Sequence, residues 1–153
     1  MLSNHKRLPL LVLFTLISQH CHAQTVSQDE VKRRIAFAKE HFTTRSTPAT
    51  TRSIRGSRTD RGRAYIVFGP PDQIRNIDPL PDSEGVSWEE WTYRAIPGIG
   101  RDVCIVFTDD ELNNGYKMGK QPCRGRFDTR LSEQRYGLIK ERLQKADTDA
   151  KSK

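Results

Sequence analysis

Histidine is almost missing from this chain. Of its four, only His41 lies beyond residue 22. Ser-His-Asp or Cys-His chemistry would have to use that one imidazole. The Thr/Ser/Arg-rich stretch after it offers no partner, so His41 reads as an exposed residue near a helix end. Soft metal ligands are equally few. His41, Cys104 and Cys123 are too scattered for a zinc site, which needs three or four ligands. No glycine-rich loop runs into Lys-Ser or Lys-Thr, which removes the P-loop class. Asp109, Asp110, Glu111 and Asn113 look at first like a calcium loop. The EF-hand requires glycine at its sixth position and glutamate at its twelfth, and Asn114 and Lys120 stand there instead. Glu89 and Glu90, as strand neighbours, point to opposite faces and make no carboxylate pair. No cofactor and no metal are expected.

Long apolar runs are lacking too. Leu8 to Ile17 spans ten residues, half of the ~20 that cross a bilayer as a helix. With His5-Lys6-Arg7 before it and Cys21-His22-Ala23 after it, this segment reads as a secretory signal over residues 1–23. The expected destination is the periplasm or the exterior, and the mature chain should have no transmembrane span. Losing Lys6 and Arg7 with the leader lowers the net charge from +7 to +5. The remaining length suits one domain with a small core, which a covalent staple would help. Cys104 and Cys123 remain, an even count that suggests a disulfide in an exported chain. A hairpin turning at Asn113-Asn114 would place them opposite each other. Turning at Asn114-Gly115 would set Cys104 against Gly125 instead. Closing the loop between the cysteines would add ~3 kcal/mol in the chain-entropy model.

The densest signal runs from Thr59 to Ile74: Thr59-Asp60-Arg61-Gly62-Arg63, then Ala64-Tyr65-Ile66-Val67-Phe68, then Gly69-Pro70-Pro71-Asp72. Ala64 to Phe68 is a continuous apolar run of strand length, rich in β-formers, and reads as a strand covered on both faces. Gly69 with Pro70 and Pro71 ends it. Asp72 is placed to cap a short helical turn through Gln73 and Ile74.

This block resembles the GWxTD-domain family of bacterial proteins, in which a Gly-Trp-x-Thr-Asp motif runs into an Arg-Gly-Arg strand and a Gly-Pro-Pro-Asp turn. The motif positions here are Gly56, Thr59, Asp60, Arg61, Gly62, Arg63, Gly69, Pro70, Pro71, Asp72 and Trp91. Similarity continues through Trp88 to Arg94 and Ile99 to Val103, so it covers roughly residues 56 to 118. Ser57 stands where the family has its tryptophan. The resemblance implies a shared fold and no established activity.

Elsewhere the pattern is regular. Ser27-Gln28-Asp29-Glu30 is a capping box, followed by Val31, Ile35, Ala38 and Phe42 on one helical face. The helix should run to about His41, within a segment 24–42. Residues 43–58 read as a Thr/Ser/Arg-rich flexible linker, and residues 76–86 as a loop. The domain proper spans 59–146, and 147–153 read as a frayed tail. Strands follow at Ser87 to Arg94, with Trp91 and Tyr93 on one side and Trp88 on the other. Arg101 to Thr108 presents Val103, Ile105 and Phe107 on one face, and Tyr116 to Met118 starts a short strand. Leu131 to Ala146 is a helix that Ser132 can cap, weakened by Gly137. The expected fold is α+β: an antiparallel meander of about four strands with a helix before and after it.

Charge carries the functional signal. Arg45, Arg52, Arg55, Arg58, Arg61 and Arg63 crowd nineteen residues that contain one acid, Asp60, and Arg124, Arg126 and Arg130 form a second group. Such segments bind anionic polymers by counterion release. Export argues against nucleic acid and favours an anionic envelope polymer or an acidic protein face. The first reading is a non-catalytic, exported interaction domain with an envelope partner, presenting its sheet edge or basic segments. The alternatives are a polyanion-binding protein acting mainly through the arginine-rich linker, with Arg45, Arg52, Arg55 and Arg58, and an enzyme with an unfamiliar site built from Asp60, Asp72 and nearby arginines such as Arg61 and Arg63.

Overall fold

The helix expected from the capping box opens the fold. The computed structural model describes residues 26–46, 52–77, 86–109, 114–120, 123 and 133–151. Helix α1 spans Gln28–His41, and the Ser27 side chain accepts a hydrogen bond from the Glu30 N–H at 3.2 Å. A single 3-10 turn, Gly56–Arg58, leads into helix α2, Asp60–Phe68. Four strands follow: β1 (Gln73–Ile77), β2 (Ser87–Ile96), β3 (Gly100–Asp109) and β4 (Lys117–Gly119). Helix α3 (Glu133–Lys151) comes last. The strands pair antiparallel in sequence order, so the sheet is the expected meander and the fold is α+β.

Two local expectations are corrected. Ala64 to Phe68 is the second half of α2, not a strand. Thr59 caps the helix by accepting from the Gly62 N–H at 3.1 Å, and Asp60 adds a favourable negative charge in the first turn. The apolar run is continuous because α2 lies between α1, α3 and the sheet: Ala64 is fully buried and Tyr65 to Phe68 pack on the core. Gly69 is the helix stop, at φ +87, with its N–H on the Tyr65 carbonyl. The first strand instead begins at Gln73, where a capped turn was expected, and runs through residues read as a loop. Asp72 starts this strand: its N–H donates to the Thr92 carbonyl (2.9 Å) and its carboxylate accepts from the Arg94 N–H (2.6 Å).

The core lies between one sheet face and the helices. Trp91, Tyr93, Val103, Ile105 and Phe107 face Ala38, Phe42, Ala64, Ile139 and Leu143. Trp91 is fully buried, edge-on to Phe107 at 4.9 Å. The opposite face holds Trp88, Cys104, Val106 and Cys123. Helix α3 is fastened to the β2–β3 turn by Arg142, which donates to the Pro97 carbonyl at 2.7 Å. It continues past the expected frayed end, and Asp147 lies 3.7 Å from Arg63. No described helix is long and apolar enough to cross a membrane. The signal segment, Asp110, Glu111, Asn113, the Arg124–Arg130 group, Leu131 and Ser132 lie outside the described residues.

Candidate functional site

The charged motif at the start of α2 is a structural junction. Thr59 donates its hydroxyl proton to the Gly56 carbonyl at 2.8 Å while capping α2. Gly56 is pressed against α1, where a Cβ would lie 1.9 Å from the Ala38 carbonyl oxygen. A Cβ on Gly62 would lie 1.8 Å from the Gly56 oxygen. Only glycine permits either approach. Asp60 holds Arg63 at 2.6 Å with one oxygen and accepts the Met118 N–H of β4 at 2.9 Å with the other.

Arg61 turns inward. It donates to Glu89 of β2 at 2.7 Å, to the Asn114 carbonyl at 3.2 Å and to the Asn114 side-chain oxygen. Its guanidinium lies 3.8 Å from the Tyr116 ring centroid and 5.1 Å from that of Phe42. Burial raises the Tyr116 phenol above its ordinary range, with Arg61 acting against the rise. Arg61 and Glu89 are only 5% and 8% exposed, so this pair has no open face for a substrate. Asp72 is held by β2 and Asp60 by β4. The structure does not gather Asp60 and Asp72 into one site.

The remaining arginines do converge. Residues expected to form a flexible linker are clasped at both described ends. The Thr44 N–H donates to the Ile54 carbonyl (3.0 Å), Ile54 N–H to the Thr44 hydroxyl (2.6 Å), and Gly56 N–H to the Thr43 hydroxyl (2.9 Å). Buried backbone needs such partners, and here they come from the threonines whose abundance suggested a loop. The clasp fixes a groove of about 650 Å3 that includes Lys39, Thr43, Arg52, Ile54, Arg55 and Arg58. No carboxylate among the described residues pairs with Lys39, Arg52, Arg55 or Arg58. Lys39 is the member that sequence reading missed. Its signal was its place four residues before Thr43, one helical turn away.

A smaller cavity of about 220 Å3 adjoins the groove and shares Arg55 and Arg58 with it. Ser57, standing where the resembled motif has tryptophan, lines it.

Cys104 and Cys123 form the expected disulfide, with Cα atoms 6.4 Å apart. They are not the direct cross-strand pair that the hairpin suggested. Val106 pairs with Gly119, and two residues further along each strand that register would bring Gln121, not Cys123, opposite Cys104. The bridge therefore ties β3 to the chain beyond β4. Glu90 lies beside it, with ligand atoms of all three residues within 4.8 Å of one another. Sulfurs joined to each other are not thiolate ligands, and Glu90 is engaged by Arg75. His41 stacks on Phe37 with ring centroids 3.9 Å apart, and its Nδ1 lies 3.0 Å from the Phe37 carbonyl.

Compared with family models, curated proteins and solved structures, the chain gives no match in any of the three.

Proposed function

We propose that this chain is an exported, non-catalytic interaction domain of the cell envelope. Its recognition surface is the groove of Lys39, Arg52, Arg55 and Arg58, and its partner is an anionic envelope polymer or the acidic face of an envelope protein. The observation that carries this reading is four cations around one groove, three on the clasped segment and Lys39 on α1, with no described ion pair to any of them. A disordered basic tail loses conformational entropy when it binds, whereas a pre-positioned groove loses less.

Export is supported by the N-terminal pattern and is compatible with the Cys104–Cys123 bridge. The likeness to the GWxTD-domain family fits a structural reading of its motif, since Gly56, Thr59, Asp60, Arg61, Gly62 and Arg63 are engaged with neighbouring elements. The enzyme reading has less support, because its two aspartates are held at different strands.

The test is binding of residues 24–153 to polyglutamate and polyphosphate over a range of salt. Four cation contacts give a slope of log affinity against log salt of about −3. A K39A/R52A/R55A/R58A variant should lose most of the affinity and of the slope while keeping its melting temperature. Unchanged binding by that variant would refute the groove.

A further inference from the structure

The cavity beside the groove has a different chemistry from the groove itself. Ile35 of α1, Ile66 of α2 and Ala146 of α3 supply apolar walls, and Arg55, Arg58 and Arg63 supply cations. Among the lining residues the one carboxylate is Asp147, and it faces Arg63 at 3.7 Å. Arg63 also binds Asp60, so its charge is compensated, whereas Arg55 and Arg58 have no described counter-ion. A chamber with three apolar walls and surplus positive charge at Arg55 and Arg58 fits a ligand with a compact apolar body and one anionic oxygen group.

Size narrows the class. An engineered apolar cavity of about 150 Å3 takes up benzene. The volume here, about 220 Å3, has room for one ring or a short acyl chain with its carboxylate.

We propose that this cavity is a binding site for small monocarboxylates with an aromatic or short aliphatic body. The body lies against Ile35, Ile66 and Ala146, and the carboxylate meets Arg55 and Arg58. Ser57 makes the site available, because its small side chain leaves the space open.

Benzoate and hexanoate, titrated into residues 24–153 and followed by backbone amide shifts, are the probes. Both should shift amides around residues 35, 57, 66 and 146. Benzyl alcohol, with the same ring and no charge, should bind at least about tenfold more weakly, the loss of one charge-assisted contact. Ser57→Trp fills the chamber and should abolish benzoate binding. Ala146→Leu narrows it from α3 and should weaken binding, which covers the case in which the tryptophan variant does not fold. Absence of benzoate shifts in the native chain, equal binding of benzyl alcohol, or undiminished binding in a folded variant would each overturn the site. Polymer binding at the groove draws on the same Arg55 and Arg58, and on Lys39 and Arg52 as well. Ser57→Trp, which leaves all four cations in place, should abolish benzoate binding while polyglutamate binding persists, whereas Lys39→Ala should weaken polyglutamate binding and leave benzoate binding unchanged.

Discussion

Arg61 of α2 and Glu89 of β2 form an ion pair at 2.7 Å with both side chains withdrawn from water. The helix and the sheet thus meet through charges that cannot be separated cheaply. Truncating one partner of such a pair leaves an uncompensated buried charge, at a cost of about 3–5 kcal/mol. Arg61→Ala and Glu89→Ala should each lower the urea midpoint accordingly. The double substitution R61M/E89L should lose less than either single change, because no lone charge remains. Equal losses in all three would show that packing, not charge, dominates this contact.

The glycines divide sharply. Gly56 cannot carry a Cβ without overlapping the backbone of α1, so Gly56→Ala should prevent native folding, visible as lost near-ultraviolet dichroism. Gly137 lies within α3 with nothing within 4 Å of an added Cβ. Gly137→Ala should stabilise by ~1 kcal/mol through helix propensity, measured as a raised thermal midpoint.

The Cys104–Cys123 bridge closes a sequence separation of 19 residues. Replacing both cysteines by serine should cost ~3 kcal/mol, read in urea titrations. Added reductant should move the native chain towards that variant and leave the variant unmoved.

Alkaline unfolding has an identifiable source. Burial holds the Tyr93 phenol far above its ordinary range, with Arg34 opposing the rise, and burial also raises Tyr116. A raised folded pKa favours the neutral form in the native state. Its stabilisation is fully present below the unfolded phenol pKa of about 10 and falls as pH climbs above that value. Stability should therefore drop steeply past pH ~10. Tyr93→Phe should flatten that drop, although it also removes the hydroxyl donation to the Gly69 carbonyl at 3.3 Å. An unchanged alkaline limb would assign the loss to other groups.

Much of this was legible in residue order. The capping box placed α1, and the alternation of Trp91 and Tyr93 with Trp88 placed the two faces of β2. Ala64 to Phe68 misled because a short apolar run has no period of its own: a strand covered on two faces and a helix covered on several look alike. The deciding marks were the flanks, Thr59 before the run as N-cap and Gly69 after it as helix stop. Strand β1 was missed because its residues are nearly all exposed and its pairing is imposed by β2. The groove was half legible. Its arginines were conspicuous, but their convergence depends on the Thr43–Gly56 and Thr44–Ile54 hydrogen bonds between residues ten or more apart, which composition does not reveal.

Strand β1 lies at the outer end of the strand order, with β2 as its described neighbour. Such a margin invites a second chain to add itself, and Ile74, half exposed, would welcome it. Arg75, next in line, opposes that. Its guanidinium is held across to Glu90 yet remains about half in water, so a newcomer would have to desolvate a fixed charge at the middle of the seam. The same residue that neutralises an acid beside the disulfide thereby hinders strand addition at the β1 edge of the described sheet.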